Sequence, residues 1–346
     1  MTSHICGIEA YRSQLDGAEE VPLWQQPWWL DAVAPGRWDA RCVLSNERVV
    51  AALPYVPSRK LGFDSWGMPQ LTQALGPWLE PLDGKYASRL SREHALLNLL
   101  ADAIPRSVFY VQNWTVDRVN WLPFYWRGYR QTTRYTLRVP AMPSGDAWGG
   151  LAAETRNAIR KSQRHGLVVD QSSDLTGFLT LNAQTFARQG LPVPYSSELV
   201  ERVYRAAKAR DSATLLRARD ADGNPVAGAL LVRDASTAYY VLGGADPAQR
   251  KTGAQSAVLW EALNHSLQNG LSFDFEGSMI EPIERSFRSF GAVQTPYFRV
   301  SGSTDSRTLR RQYLAVQADR ANRLGSAARQ SIQRRAVMMV ERTNGA

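Results

Sequence analysis

Asp274 and Glu276 stand two residues apart in "LSFDFEGS", residues 271–278. Carboxylates so placed are the side chains in this sequence best suited to taking a proton from a nucleophile. Leu271, Phe273 and Phe275 alternate with Ser272 and Asp274, the period of a strand, so both acids are expected to leave the aromatic face together. A carboxylate left partly desolvated at such a place gains basicity. The competing reading gives the acids only helix capping or pairing with Arg285. Ile280, Ile283, Phe287 and Phe290 then recur at helical spacing, and Gly291 ends the run. "VQTPYFRV" reads as a further strand, with Pro296 placing it at a bulge or an edge.

Two basic stretches suit an anion. "LGGADPAQRKTGAQSAVLWEAL", residues 242–263, leaves a strand through Gly243 and Gly244 and passes Arg250 and Lys251. It enters a helix after Thr252 and Gly253. A glycine-bearing loop at a helix N-terminus offers main-chain N–H groups and a favourable dipole to phosphate, although loop statistics alone produce such loops as often. In "ETRNAIRKSQRHG", residues 154–166, Arg156, Arg160 and Arg164 form one helical stripe with Lys161 beside it and Gly166 as a C-cap. Compensation of the helix dipole explains part of that stripe, and three aligned arginines exceed it. Ser278, Trp66 and Trp114 complete the candidate substrate contacts. His4, His94, His165 and His265 sit singly, and no serine–histidine–acid set, P-loop, GxGxxG or HExxH is present.

These groups need a scaffold, and the chain is long enough for one. It has 346 residues, 44% hydrophobic and 21% charged, which fits two globular domains and not disorder. Cys6 and Cys42 form no CxxC and have no histidine partner, so neither a disulfide framework nor a metal site is expected. A basic-then-apolar leader and a spanning run of about 20 apolar residues are both lacking, so the expected location is the cytoplasm. The net charge is +9, but residues 303–346 hold nine arginines against three acids and so carry +6 of it. That tail reads as a solvated helical extension ahead of an RNA or membrane-surface arm, and its "AVMMV" is the stretch suited to touching a membrane surface. This tail and the arginine stripe of residues 154–166 are what speaks for RNA, and DNA is not expected as a partner.

The chain also repeats itself. "FYWRGYRQTTRYTLRV", residues 124–139, sets beside "FRSFGAVQTPYFRV", residues 287–300, with Gly128 over Gly291 and Gln131 over Gln294, an offset of 163. Upstream, each copy runs through two strands around a polar turn, then a helix, then a strand. The expected organisation is residues 1–140 as one αβ unit, 141–302 as a second, and 303–346 as the tail. Where the second copy has "FDFEGS" the first has "FYVQNWT", so Gln112 or Asn113 stands near the place of Glu276. The first copy is aromatic instead, with ten of the eleven tryptophans at or before Trp148.

The second copy, with "ETRNAIRKSQRHG", "YYVLGGAD", "FDFEGSMIEPIERSFRSFG" and "PYFRV", resembles the GNAT acyltransferases, in particular the FemAB-like branch with two GNAT units in tandem. The resemblance runs from about Trp24 to Val300. It implies an α/β (α+β) fold of two units, each a mixed, mainly antiparallel sheet flanked by helices, the first unit degenerate. It further implies direct attack of an amine on an acyl donor, with no covalent enzyme intermediate, and a carboxylate to take the amine's proton, for which Glu276 is the first candidate and Asp274 and Tyr240 come next. In that family the coenzyme A pyrophosphate sits on Q/R-x-x-G-x-G/A; here Arg250 and Gly253 keep the first and fourth positions and Gln255 takes the sixth. The expected activity is N-acyl transfer from acyl-CoA to an amino sugar, an amino acid or a cell-envelope precursor. The alternatives are an aminoacyl-tRNA-dependent peptide-bond-forming ligase and a non-catalytic binding module.

Overall fold

The computed structural model describes residues 4–60, 63–277, 279–305 and 307; Ser278 and the tail expected beyond residue 307 lie outside them. In the first unit β1 (His4–Cys6), α1 (Ile8–Leu15) and α2 (Pro27–Val33) lead into the strands β2 (Asp39–Ser45), β3 (Arg48–Lys60), β4 (Phe63–Gly67) and β5 (Trp78–Leu79). There follow α3 (Tyr86–Asp102), β6 (Phe109–Asn113), α4 (Leu122–Tyr125) and β7 (Arg130–Val139). The second unit opens with α5 (Ser144–Gly150), α6 (Ala153–Arg164), β8 (Val168–Gln171), α7 (Leu175–Arg188) and α8 (Ser197–Lys208). It continues through β9 (Ala213–Arg219), β10 (Pro225–Arg233), β11 (Thr237–Ala245), α9 (Ala254–Gln268), β12 (Ser272–Asp274), α10 (Glu281–Arg288) and β13 (Val293–Gly302).

All the strands join in one sheet, ordered β1-β2-β3-β4-β6-β13-β7-β12-β11-β10-β9-β8 with β5 beside β3. The sheet order departs from the chain order at its centre. β7, the last strand of the first unit, lies against β12 of the second, and β13 lies against β6 of the first. The two units have exchanged their final strands, and β7 and β13 pair with each other over nine positions. Arg134 pairs with Tyr297, its own counterpart at the offset of 163, so a local two-fold axis passes between them.

The exchange corrects the expectation for Pro296, which lies on a central strand and not at an edge or bulge. It pairs with Tyr135 of β7, while β6 reaches β13 only from Arg299 onward. Its missing N–H therefore costs no ladder bond on the β6 side. The register also settles which residue answers to Glu276. Arg138 pairs with Asp274, and its counterpart Ser301 pairs with Val111, so Asp274 matches Val111 and Glu276 matches Asn113.

Apolar side chains seal both faces of the sheet. Leu137, Val139, Phe273, Phe275, Val258 and Leu263 bury the face under α9. On the other face Trp24, Trp28 and Trp29 of the first unit pack against Leu199, Val203 and Tyr239 of the second. Trp24 meets Tyr239 edge-on at 4.8 Å, a contact type that contributes about 1 kcal/mol beyond its buried area. The first unit's tryptophans thus hold the two units together.

Candidate active site

β11 and β12 run parallel and pair only at Thr237–Ser272, Ala238–Phe273 and Tyr239–Asp274. Beyond that point they separate. β11 continues to Ala245 with a bulge at Val241, opposite Leu230 and Leu231, and β12 turns away through Phe275, Glu276 and Gly277. Bulges next to a diverging pair re-aim the following backbone. Glu276 and Gly277 both adopt positive φ, 58° and 52°. For Glu276 this is a left-handed conformation that costs about 1–2 kcal/mol. At Gly277 only glycine fits, because a Cβ would collide with Thr136 and the Tyr135 carbonyl of β7. The turn therefore lies directly on the exchanged strand.

The alternation expected from the sequence holds from Leu271 to Phe275, and the turn follows it. Phe273 and Phe275 enter the core, and Asp274, 2% exposed, leaves on the opposite face. Asp274 accepts a hydrogen bond from Thr136 Oγ1 and another, of 2.8 Å, from the Glu276 N–H. Its second oxygen lies 3.4 Å from Arg138 Nε. Burial raises its pKa, and Thr136, Arg138 and the Glu276 N–H offset part of that rise. Glu276 has no such support: its Oε1 is buried without a partner among the described residues. Burial, and then the charge of Asp274, push the Glu276 carboxyl well above the ordinary range.

Asp274, Thr136, Arg138 and Tyr297 line a pocket of about 210 Å³ that opens between the units. Trp24, Gln73 and Trp114 form its first-unit wall, and Glu19, Glu20, Asp117 and Asp234 add carboxylates. Tyr240 belongs elsewhere. It faces α9 and α10, meets Phe287 edge-on at 5.9 Å and accepts a hydrogen bond of 3.3 Å from Gln255 Nε2. Trp66 is 5% exposed and stacked 3.6 Å from Tyr55 inside the first unit's core. Trp114, though fully buried, reaches the pocket wall.

The basic loop has mixed roles. Gly244 lies against the backbone of Asn182, and Gly253, at φ 86°, against the carbonyl of Ala158 in α6, so packing alone demands these two glycines, while a Cβ at Gly243 would meet the hydroxyl end of Tyr240. Asn182 of α7 also donates 2.7 Å to the Gly243 carbonyl. Thr252 Oγ1 accepts from the Ala254 N–H at 3.4 Å. The next N–H groups of α9, on Gln255 and Ser256, have no side-chain cap, and helix geometry gives them no partner of their own. Arg250 and Lys251 are exposed beside them and form no ion pair among the described residues. In α6, Arg156 is tied to the Leu151 carbonyl at 2.6 Å and Arg160 lies 5.7 Å from the Trp148 ring, while Lys161 and Arg164 extend into solvent. The contact at Ala158 brings this helix alongside the loop, so Lys161, one turn on, joins the same cationic surface.

In the first unit the matching gap, between β4 and β6, is closed. Leu75 donates 2.7 Å to the Asn113 carbonyl and forms a parallel bridge with Trp114. Gly76 donates 3.0 Å to Gln112 Oε1, whose amide in turn reaches the carbonyls of Pro54 and Gly67. No main-chain bond or bridge like that of Leu75 reaches the Phe275 or Glu276 carbonyl among the described residues. That difference leaves one open gap, in the second unit.

Residues 151–299 match the family model of the acetyltransferase (GNAT) domain. The chain carries a GNAT acetyltransferase domain. It is an acyltransferase by that domain, and the open gap, the bulged β11 and the α9 loop all lie within it. The FemAB-like fold expected from the sequence extends through both units. FemX matches with a TM-score of 0.61 at 13% identity, over 85% of this chain and 96% of that one. A conserved protein of unknown function from Bacteroides thetaiotaomicron matches at TM-score 0.53 and 12% identity, over 85% and 95%. A search of the curated proteins returned no match. No described helix is long and apolar enough to cross a membrane.

Four residues of the site carried no signal as chemistry in the sequence: Thr136, Arg138, Arg134 and Tyr297. Thr136, Arg138 and Arg134 come from the first unit's last strand, and only the exchange brings them to the second unit's acids. The repeat at offset 163 was the available signal, since a strand that pairs with its own copy must bring both ends of the repeat together.

Proposed function

We propose that the GNAT domain transfers an acyl group from acyl-CoA to an amine held in the pocket between the units, with Glu276 as the base. The observation that carries this reading is the Glu276 carboxyl, buried and unpartnered at Oε1 beside the diverging β11 and β12. A carboxyl kept without a partner is costly to stability, and a raised pKa brings it toward the value at which it exchanges protons with an amine. The carboxylates around the pocket favour an ammonium ion at its mouth. The amine gives its proton to Glu276, its lone pair attacks the thioester carbonyl, and the thiolate of coenzyme A leaves. Arg250, Lys251 and the free N–H groups at the start of α9 would hold the donor's phosphates. Asp274, fixed by Thr136 and Arg138, positions the Glu276 backbone through their hydrogen bond.

The acceptor belongs to the class of amino sugars, amino acids or cell-envelope precursors. A second donor, aminoacyl-tRNA, is favoured by the solvent-facing Lys161 and Arg164 on α6. One assay separates the two: labelled acetyl-CoA and charged tRNA are offered in parallel with a panel of amines. Label moves from acetyl-CoA if the proposal holds, and transfer from charged tRNA alone would overturn the donor assignment.

A further inference from the structure

On the face of the sheet that carries Asp274, the side chains continue across the two-fold axis. Arg138 and Arg134 stand four positions apart on β7, Tyr297 is cross-strand from Arg134, and Arg299 follows two positions on. All point to one side, as the period-2 alternation of paired strands requires. Arg134 lies directly cross-strand from Tyr297, and its Nε is buried without a partner among the described residues. Neither Arg134 nor Arg299 forms an ion pair among the described residues. Arg299 is exposed at its surface, and burial of its inner part together with the charge of Arg134 pulls its pKa down. Two arginines at diagonal positions of a strand pair, neither ion-paired among the described residues, are destabilising alone and are relieved by an anion. Tyr297 is the link, since it lines the pocket and feels Arg134 on one side and the carboxylates of Asp274 and Glu276 on the other.

We propose that Arg134 and Arg299 form an anion subsite for the acceptor, so that the amine accepted here carries a carboxylate or phosphate a few ångströms from its nitrogen. The inference rests on the acyltransfer reading for the word acceptor; the anion subsite itself does not. Arg134 and Arg299 hold the anionic group by charge-assisted, fork-shaped hydrogen bonds, and the amine then extends past Tyr297 toward Glu276. The subsite is separate from the cations of the α9 loop, which would take the donor.

Titration calorimetry on the full chain without an acyl donor tests this with three probe amines: phosphoethanolamine, β-alanine and neutral ethanolamine. One anionic probe is expected to bind at least tenfold more tightly than ethanolamine, and which of the two does so tells phosphate from carboxylate. Arg134→Gln and Arg299→Gln should each weaken that probe about tenfold, Arg299→Lys should recover part of it, and Arg250→Gln should leave it unchanged. Equal binding of all three probes, absence of binding by the anionic ones, or full affinity in both glutamine variants would overturn the proposal. The variants' melting temperatures, read alongside, show that the fold persists. Failure of every amine to accept an acyl group would strike the acyltransfer reading while these titrations still decide the anion subsite.

Discussion

Glu276 concentrates the cost of the site in one residue. It combines a left-handed backbone, a buried unpartnered oxygen and a neighbouring carboxylate that raises its pKa further. Because its folded-state pKa lies above the unfolded value near 4.3, the protonated form is the one the fold accommodates. Stability from this residue is complete below that unfolded pKa and is lost as the pH rises through the raised one. Glu276→Gln is therefore expected to stabilise the protein by about 1–3 kcal/mol at alkaline pH and to change little at pH 4. Thermal melts of both proteins across that range check the sign; a variant equally or less stable at high pH would refute it. Asp274 differs, since Thr136 and Arg138 already answer its charge.

The turn after β12 was only partly legible as an element. The Phe273 and Phe275 pattern, the existence of α10 and the Gly291 stop follow from local spacing and are present in the structure, but Ile280 and Ile283, whose spacing reads as a core face, are exposed. What local spacing cannot hold is the partner of the strand. Thr136 and Arg138 flank Asp274 only because β7 crosses into the second unit, and no property of "TLRV" records that. For the same reason Pro296 reads as an edge residue and is central. Gly277 links the two levels, because its approach to Thr136 is what sets the turn and thereby aims Glu276. Gly277→Ala should destabilise the fold by about 1–3 kcal/mol and lower turnover far more than it alters donor affinity. Denaturant melts and donor titrations measure these, and unchanged turnover would show that the turn does not aim Glu276.

At the scale of the whole molecule, the sequence divides at about residue 140, and the sheet does not. β13 and β7 lie between strands of opposite units, and the tryptophans of the first unit pack on helices of the second. Neither unit can leave without breaking the centre of the sheet. Calorimetry is expected to show a single unfolding transition for residues 4–305, with residues 151–305 alone failing to fold for want of β7. Two separate transitions would contradict this coupling. The arrangement also explains why a unit whose own gap is closed by Leu75 and Gly76 is retained: it supplies the strand that holds Asp274, one wall of the pocket and half of the proposed anion subsite.

The central claim is that Glu276 takes the proton from the attacking amine, and single-turnover acyl transfer from acetyl-CoA measures it most directly. With Glu276→Gln the account predicts a rate about 10²–10⁴ lower, loss of the rise with pH that follows ionisation of the carboxyl, and unchanged affinity for acetyl-CoA. A variant that transfers the acyl group within twofold of the wild-type rate, with the same pH profile, would contradict it.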